Sequence, residues 1–238
     1  MTFASTAPGI ALGPRQVINQ AESTNWSGYA VTGSSVSAAE GSWVVPSVSC
    51  PRRGSSYAAF WVGIDGYSSS TVEQTGVLAQ CSNGKASYSA WYEFYPSAMV
   101  TISSVSISPG QVISAAVTWV SGSTFSVALT DVTTSSTFST TGSVSSAARS
   151  SAEWIVERPE VCSGFRCQLA TLSNFGTANF GDDYTSVSGT SYATVNGVTG
   201  PVSSFTWHAI NMVSSFGGAL DTTSGLSSDG TSFTVTYG

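Results

Sequence analysis

The stretch Ser151-Ala152-Glu153-Trp154-Ile155-Val156-Glu157 decides the fold of this sequence. Its aromatic and β-branched residues are typical of a strand that is buried on at least one face. A carboxyl group inside such a run costs free energy to desolvate unless it is paired, so Glu153 needs a specific role. Val72-Glu73-Gln74-Thr75-Gly76 is a second strand-like stretch that carries polar groups, and we expect the two stretches to meet in space.

From residue 25 onward, short runs rich in Val, Tyr, Thr and Trp recur between clusters of Gly, Ser, Asn and Pro, which is the pattern of a β-sandwich or β-barrel. No window of ten residues shows a helical period with caps, so the sequence predicts almost no helix. Residues 1–24 are interpreted as an N-terminal tail or the remnant of a pro-segment, and residues 25–238 as a single domain. Strands are predicted at 25–32, 40–45, 57–64, 72–76, 87–95, 100–107, 111–120, 124–132, 151–157, 169–172, 178–180, 204–212 and 231–237.

Three consecutive strands in the middle of the chain are predicted to form one antiparallel meander. They are 100–107, 111–120 and 124–132, and they are separated by the turn sequences Pro109-Gly110 and Ser121-Gly122-Ser123. The following stretch, 137–151, is too rich in Ser and Thr for its strand boundaries to be predicted.

The strand 87–95 alternates strictly between two kinds of side chain. Its even-numbered residues are aromatic or Ala, whereas Trp91, Glu93 and Tyr95 lie on the other face. Such alternation predicts one face packed on a core and one face open to solvent or ligand. Two aromatic residues and an acid on the open face favour a ligand groove over an ordinary solvated surface.

The chain contains few charged residues and is acidic overall. Only 8% of its residues are charged, with 13 acidic and 7 basic residues and a net charge of −6. This balance argues against nucleic-acid binding, which needs clustered Lys and Arg. A fold with few carboxylate ion pairs has few to lose as its acids protonate, so the composition also indicates acid tolerance, although many secreted β-proteins share it. No apolar run reaches the 18 residues typical of a membrane span.

The four cysteines indicate disulfides rather than metal binding. Cys50, Cys81, Cys162 and Cys167 form no pair of CxxC motifs, and only one histidine is available to help them bind zinc. The simplest pairing joins Cys162 to Cys167 and Cys50 to Cys81, although four cysteines allow three pairings. Disulfides favour an oxidising compartment, so we predict a secreted protein, without metal or cofactor, whose export signal has been removed or replaced.

Elimination narrows the chemistry that the chain can support. A Ser-His-Asp triad would have to use His208, and no G-x-S-x-G motif presents a serine. A cysteine nucleophile fails because it would need the same histidine and because the cysteines are counted as disulfides. The chain also lacks the two Asp-Thr/Ser-Gly turns of pepsin-like peptidases. Carboxylate chemistry with Glu and Asp, assisted by Gln, remains.

A glycoside hydrolase is the main alternative that paired carboxylates suggest. Glu153 and Glu157 point the same way on a regular strand, but residues four apart lie ~13 Å from each other, beyond the ~5–9.5 Å that glycosidases use. Only a bulge in this strand would bring the two carboxyl groups together. A lectin-like binding module without catalysis is a third interpretation, which retains the aromatic groove.

Five motifs follow one another along the chain: N-W-S-G at 25–28, F-W-V-G-I-D-G at 60–66, Q-T-G at 74–76, Y-S-A-W-Y-E-F-Y-P at 88–96 and A-E-W-I-V-E at 152–157. In this order they resemble the eqolisins, the glutamic peptidase family, from about residue 25 to the C-terminus. The resemblance implies an antiparallel β-sandwich of two large sheets, a lectin-like jelly roll of the concanavalin A type. It also implies an acid endopeptidase that pepstatin does not inhibit.

The resemblance further implies that Gln74 and Glu153 are the catalytic pair. Glu153 would remove a proton from water as it attacks a peptide carbonyl and would return that proton to the leaving nitrogen. Gln74 would orient the water and stabilise the oxyanion. If Glu153 has an ordinary glutamate pKa, it is ionised when the enzyme works in acid. The partner is then a polypeptide, and we expect the protein to be monomeric.

Substrate-contacting residues are also implied by the resemblance. The set consists of four aromatic residues and two acids: Trp26, Trp61, Asp65, Trp91, Glu93 and Tyr95. The aromatic rings offer large rigid faces to peptide side chains, and Asp65 and Glu93 are expected to act as hydrogen-bonding support behind them.

Each assignment has a plainer alternative. Trp26 and Trp61 could be ordinary core residues, and Gln74 could be an amide that bonds the backbone at a sheet edge. His208 is expected to make an ordinary structural hydrogen bond.

The two glutamates next to the proposed pair raise separate questions. Glu73 points to the opposite face from Gln74 and is expected to be solvated. Glu157 shares a face with Glu153, so it remains an alternative catalytic acid.

Overall fold

A computed structural model describes residues 9–163 and 166–238 of the chain. Nearly all of its regular structure is strand. The helices in this part are one short α-helix, α1 (Asp182–Thr185), and one 3₁₀ turn (Val202–Ser204), which confirms the prediction of almost no helix for the described residues. The strands are β1 (Gly9–Ala11), β2 (Val17–Asn19), β3 (Glu22–Ser23), β4 (Trp26–Thr32), β5 (Val36–Val44), β6 (Ser55–Ile64), β7 (Val72–Ser82), β8 (Lys85–Tyr95), β9 (Val100–Ile102), β10 (Val112–Ser121), β11 (Thr124–Asp131), β12 (Ser136–Ser143), β13 (Ser151–Glu157), β14 (Glu160–Ser163), β15 (Arg166–Leu169), β16 (Thr177–Phe180), β17 (Tyr192–Val195), β18 (Val198–Pro201), β19 (Thr206–Met212), β20 (Asp221–Thr223) and β21 (Phe233–Tyr237).

Two large sheets form the body of the molecule. The first, which we call the groove sheet, has nine strands in the order β2-β3-β19-β4-β13-β6-β7-β8-β9, and only its β3–β19 pair is parallel. The second, the back sheet, has the order β12-β11-β10-β5-β16-β21-β20, with the β17–β18 hairpin attached to β5. A small third sheet is formed by β1, β14 and β15. The prediction of a large antiparallel β-sandwich is therefore confirmed.

The main core lies between the two large sheets. Phe60 and Trp154 of the groove sheet pack into one cluster with Trp43, Phe125 and Phe180 of the back sheet, and all five side chains are buried. A strand with one face in this core needs apolar residues only at alternate positions. β11 shows the resulting alternation of buried and half-buried residues along its whole length.

The predicted strand 151–157 coincides with β13, and this strand lies at the centre of the groove sheet between β4 and β6. Strand 87–95 lies within β8, and its side chains alternate between two faces as predicted. Ala90 and Phe94 pack into the core between the sheets, whereas Trp91 packs into a second apolar cluster on the outer face of the groove sheet. We call this outer face the groove face.

The predicted meander is wrong in its first strand. Only 100–102 of the expected 100–107 form a strand, and this β9 pairs with β8 at the edge of the groove sheet. β10 and β11 belong to the back sheet, where β12 continues the meander. The turn at Pro109-Gly110 therefore connects two sheets rather than two neighbouring strands. β12 lies within the Ser- and Thr-rich stretch for which the sequence predicted no boundaries.

Part of the segment that was expected to be a tail is built into the fold. Residues 1–8 lie outside the described residues, but β1 pairs with β14, β2 pairs with β3, and β3 joins the groove sheet beside β19. Leu12 is completely buried. The interpretation of 1–24 as a separate unit or pro-segment remnant stays a prediction.

Both cysteine pairs form as the simplest pairing predicted. Cys50 is bonded to Cys81, which tethers the loop before β6 to the end of β7, and Cys162 is bonded to Cys167 across the β14–β15 hairpin. Within the described residues, no helix is long and apolar enough to cross a membrane.

The two disulfides are expected to differ in their contribution to stability. The chain-entropy relation gives about 3–4 kcal/mol for a separation of 31 residues and about 2 kcal/mol for one of 5 residues. Replacing both cysteines of the Cys50–Cys81 pair by Ala should therefore lower the melting temperature by roughly 10 °C, and the same change at Cys162–Cys167 by roughly 5 °C. Calorimetry on the two double variants tests this, and equal losses would contradict it.

Candidate active site

Four neighbouring strands bring the candidate catalytic residues into one row across the groove sheet. Glu153 on β13 lies opposite Gly63 on β6, Gly63 lies opposite Gln74 on β7, and Gln74 lies opposite Glu93 on β8. Residues directly opposite one another in an antiparallel sheet point to the same face. The row therefore unites three polar side chains from three separate motifs, with a glycine between the acid of β13 and the amide of β7.

Gly63 makes this row possible. A Cβ at this position would lie 2.8 Å from Cζ3 of Trp61 and 3.2 Å from Cβ of Gln74. Because the position has no side chain, the edge of the Trp61 indole lies against it, between the strands that carry Glu153 and Gln74. The Cα atoms of Glu153 and Gln74 are separated by two interstrand spacings, about 10 Å, so two long side chains can approach a common molecule from either side.

A second glycine organises the aromatic residues in the adjacent row. Trp61 lies opposite Gly76, and Gly76 lies opposite Trp91. A Cβ on Gly76 would lie 2.2 Å from the carbonyl oxygen of Phe60 and 2.6 Å from Cβ of Trp61. The edge of Trp26 meets the ring of Trp61, with centroids 4.9 Å apart. Indoles and glycines thus alternate beside the polar row and shape its wall.

The Gln74 amide is held by Glu93. Its Nε2 donates a hydrogen bond of 2.7 Å to Oε2 of Glu93, and both side chains are buried. Among the described residues, Oε1 of Gln74 has no hydrogen-bond partner. Burial raises the pKa of Glu93 to about 8, so this carboxyl group is neutral in acid and its carbonyl oxygen still accepts the amide proton.

Glu153 is a completely buried acid with no partner for either carboxyl oxygen among the described residues. Burial raises its pKa well above the ordinary glutamate value, and the nearby carboxyl groups of Asp65 and Glu73 raise it further. The expectation of an ordinary glutamate pKa is therefore wrong for this closed arrangement. Glu153 and Oε1 of Gln74 are unsatisfied buried groups on the two sides of Gly63, which is the kind of exception that marks functional sites.

Asp65 follows β6 and is held by residues that precede β13. Its carboxylate accepts hydrogen bonds from the backbone N–H groups of Arg149 and Ser150, at 2.7 and 2.9 Å, and from the Ser150 hydroxyl at 2.9 Å. These bonds tie the β6–β7 connection to the residues just before β13. The hydrogen-bond partners of the Asp65 carboxylate are residues of the protein itself, and a role for Asp65 behind the substrate-contacting aromatic residues stays a prediction.

The expectation that Glu73 is solvated is wrong. Its strand partners Ile64 and Phe94 belong to the core between the sheets, and Glu73 is completely buried with both oxygens unpartnered among the described residues. Burial and the charge of Asp65 raise its pKa to about 9. The prediction failed because the alternation of a strand shows that Glu73 and Gln74 point to opposite faces but does not show which face is covered by the second sheet.

Glu157 shares the groove face with Glu153 but has different surroundings. Its Oε2 accepts a hydrogen bond of 2.9 Å from Nε1 of Trp61, and its Oε1 accepts one of 3.2 Å from the backbone N–H of Gly13. Burial raises its pKa well above the ordinary value. It lies opposite Ala59 on β6, so no amide faces it as Gln74 faces Glu153 across Gly63.

The aromatic groove predicted from the sequence is covered in this structure. Trp26, Trp61 and Trp91 are completely buried in the groove-face cluster, where Leu12 and Tyr67 pack with them; Tyr95 is half-buried at its side. Gln74 and Glu153 are likewise inaccessible to solvent. The expectation of an open face is therefore wrong for this state, because the N-terminal segment and the β6–β7 connection lie over it.

His208 lies beside Tyr67, one of the residues that cover the groove face. It hydrogen-bonds to Oγ1 of Thr32 at 3.2 Å and to Nε2 of Gln20 at 3.3 Å, and its ring stacks on Tyr67 with centroids 5.0 Å apart. The guanidinium group of Arg15 lies 4.6 Å from the Tyr67 ring centre. Burial and the charge of Arg15 lower the pKa of His208. Its hydrogen bonds are the structural ones that the sequence predicted.

The described residues contain one group of potential metal ligands, Glu160 with Cys162 and Cys167. Both of these cysteines are engaged in a disulfide, so neither offers a thiolate to a metal ion.

The fold and the row together define the class of the molecule. It is an antiparallel β-sandwich that carries an acid and an amide on the outer face of one sheet, across a glycine, beside a wall of indoles.

Comparisons with known proteins agree with this class. The profile of the Peptidase A4 family matches residues 24–237, so the chain belongs to this family, the eqolisins. It is 35% identical over 184 residues to Aspergillopepsin-2 of Aspergillus niger, and the matched region covers 68% of this chain and 64% of that protein. It is 36% identical over 183 residues to Scytalidopepsin B of Scytalidium lignicola, covering 72% and 68% of the two chains. The chain thus spans about two thirds of the length of these relatives.

A solved structure of SCP-B, a member of the eqolisin family, in complex with the tripeptide Ala-Ile-His has the same fold. It superposes with a TM-score of 0.74 and 26% sequence identity, over 90% of this chain and 98% of that one.

The buried acids make folding stability depend on pH. The Glu73 carboxyl group loses its proton near pH 4.5 in the unfolded chain but at about 9 in the folded protein. The folded state therefore binds more protons between these values, so stability is greatest below about pH 4.5 and falls as the pH rises toward 9.

Glu73→Gln should weaken this dependence. We expect the drop in melting temperature between about pH 4 and about pH 7.5 to be smaller in the variant than in the native protein, by roughly 5 °C. Glu40→Gln is the matched control, because Glu40 is exposed. A pH profile of melting temperature identical in all three proteins would contradict the prediction.

Proposed function

We propose that the protein is an acid-acting endopeptidase in which Glu153 and Gln74 hydrolyse peptide bonds without a covalent intermediate. The observation that carries the proposal is the cross-strand row, in which an unpartnered acid and an amide with an unpartnered oxygen flank Gly63. Membership of the Peptidase A4 family and 35–36% identity to Aspergillopepsin-2 and Scytalidopepsin B support it.

Each member of the pair has a defined chemical task. The Glu153 carboxylate takes a proton from water as the water oxygen attacks the peptide carbonyl carbon, and it returns that proton to the leaving nitrogen. The amide nitrogen of Gln74 has two N–H groups. Glu93 accepts one of them, which leaves the second to donate to the oxyanion of the tetrahedral intermediate. The unpartnered Oε1 accepts a hydrogen bond from the attacking water and so orients it, while the proton that is transferred goes to Glu153.

Opening of the groove controls the protonation state of Glu153. In the closed arrangement its pKa is raised mainly by burial, so the group is neutral in acid. Admission of substrate and water removes part of this desolvation, and the pKa then falls toward the ordinary glutamate value. The carboxylate needed for proton abstraction is thus formed only when the groove is open, and acid pH keeps the neighbouring raised-pKa acids Glu73 and Glu93 neutral.

The substrate is a polypeptide in an extended conformation. The indoles of Trp26, Trp61 and Trp91 and the Tyr95 ring supply broad apolar surfaces for its side chains. The eqolisin SCP-B has been solved with a tripeptide bound. Two disulfides suit an extracellular location, and we propose that the protein is secreted and acts as a monomer.

The glycosidase alternative loses its geometric basis. It required a bulge in β13 to bring Glu153 and Glu157 together, but β13 pairs with β4 and β6 in regular register throughout. The two carboxyl-bearing residues therefore keep the ~13 Å separation of a regular strand.

Glu153→Gln and Gln74→Ala test the peptidase directly. Each variant should lower the rate of cleavage of a denatured protein by at least ~10²-fold, because the first removes the base and the second an oxyanion donor. Cleavage is followed by mass mapping of the products from about pH 2 to about pH 7. Glu40→Gln serves as the control, since Glu40 is exposed and lies on the back sheet.

The competing interpretations give different results. Native-like cleavage by both variants, with circular dichroism confirming their fold, would refute the assignment of the pair. Release of reducing sugar from a glucan would indicate the glycosidase, and sugar binding without turnover the lectin. Pepstatin should not inhibit the native protein, since that inhibitor engages an aspartate dyad and the row supplies an acid and an amide.

A further inference from the structure

The N-terminal segment 9–16 lies on the groove face, with a short strand at 9–11 and a bend at Pro14. It begins as β1, which pairs with β14 beside the groove sheet. Leu12 then packs among the groove indoles and is completely buried. Further along, the backbone N–H of Arg15 donates to the carbonyl oxygen of Gly66 at 3.0 Å. The segment thus occupies part of the groove face, where a polypeptide ligand would compete with it.

Gly13 is held at both of its main-chain groups by two side chains of the groove sheet. Its N–H donates to Oε1 of Glu157 at 3.2 Å, and its carbonyl oxygen accepts from Nε1 of Trp26 at 3.1 Å. Trp26 and Glu157 lie directly opposite each other on β4 and β13. The Glu157 carboxyl group accepts and the Trp26 indole donates, and the two side chains stand on adjacent strands. Together they match the N–H and the C=O of one residue in a chain that lies on the groove face.

A carboxyl group is the appropriate acceptor at position 157. Its two oxygens receive two N–H groups, one from Gly13 and one from the Trp61 indole. A glutamine side chain has the same shape but only one oxygen, so it would satisfy one donor and turn its own NH₂ toward the other. Glu157 is also completely buried, where an unmatched donor is costly.

The contacts recognise the main chain and leave room for a side chain. A Cβ at position 13 would lie 3.4 Å from Cε2 of Tyr95, which is an ordinary contact. A cavity of about 250 Å³ adjoins the same position and is lined by Tyr95, Glu157 and Glu160, among others. The site therefore accepts residues other than glycine, and its ligand is defined by an extended backbone.

We propose that Trp26 and Glu157 form a main-chain clamp that holds one residue of an extended polypeptide in the groove, and that Gly13 of the chain itself occupies the clamp in this structure. The proposal rests on the proposed function and assigns positioning residues to the same groove. Glu157 lies four residues from Glu153 on β13, ~13 Å away on a regular strand, so the clamp acts about four residues from the cleaved bond. A substrate has to displace residues 9–16 before it can engage the clamp.

The first test changes the occupant and leaves the groove intact. Gly13→Pro removes the N–H that Glu157 accepts, whereas Gly13→Ala keeps it and is the matched control. On the full chain, Gly13→Pro should lower the apparent KM for a peptide by about tenfold with kcat unchanged, the effect of losing one buried hydrogen bond. Gly13→Ala should behave like the native protein. An unchanged KM in Gly13→Pro would overturn the proposal.

The second test changes the clamp in the Gly13→Pro chain. Glu157→Gln and Trp26→Phe should each raise KM by about tenfold, with kcat within about twofold, for a peptide that extends about six residues to both sides of the cleaved bond. A peptide truncated to about two residues on each side should show no such change. Trp207→Phe is the control for loss of an indole N–H, since Trp207 is 44% exposed. A fall in kcat with unchanged KM would overturn the clamp, because Glu157 would then act on the reacting atoms.

A third test does not depend on activity. Hydrogen exchange of the amides in 9–16 is measured in Glu153→Gln, a background in which the proposed peptidase activity is suppressed. Adding Glu157→Gln should accelerate this exchange about tenfold, whereas adding Glu40→Gln should not. Unchanged exchange overturns the clamp whether or not the protein is a peptidase. Accelerated exchange in a protein that cleaves no peptide would support the clamp and refute the proposed function alone.

Discussion

Burial of unpaired polar groups on one face of a sheet costs free energy, and the fold depends on the apolar packing that offsets this cost. β13 carries both the buried acids and the apolar residues that pack in the core. Glu153 and Glu157 face the groove, while Trp154 and Val156 between them face the core that joins the two sheets. Nε1 of Trp154 also donates to the backbone carbonyl of Glu40 on the back sheet, at 2.8 Å. The strict alternation of a strand thus fixes the acids at the centre of the most firmly anchored part of the sheet.

The same burial connects the fold to acid pH. The composition suggested acid tolerance because few ion pairs could be lost, but the described structure supplies a more direct reason. Burial raises the pKa of Glu73 to about 9, of Glu93 to about 8 and of Asp221 to about 7. In acid these groups are neutral, and neutral carboxyl groups are far less costly to bury than carboxylates. The arrangement therefore suits acid conditions because of where its few acids lie.

The sequence predicted those parts of the structure that depend on side-chain periodicity. The bounds of β13, the two faces of β8 and the presence of Gln74 and Glu153 on one face of the same sheet follow from alternation and from motifs in a known order. The closed groove did not follow from the sequence. Gly13 is held through its main chain, which leaves no side-chain pattern, and the small polar residues around it resemble those of a tail. The position of β9 in the groove sheet depends on which sheet a turn leads to, which local sequence does not encode.

Two glutamates four residues apart on one strand have the same chemistry and different surroundings. Both oxygens of Glu157 accept N–H groups, so its carboxyl group is fixed in place and suited to holding another chain in position. Neither oxygen of Glu153 has such a partner among the described residues, so its carboxyl group is free to exchange a proton with whatever enters the groove. The division of labour between them is set by the residues opposite: Trp26 and Ala59 beside Glu157, and Gly63 beside Glu153. The glycine is the decisive difference, because it leaves the position between the acid and the amide one strand further on without a side chain of its own.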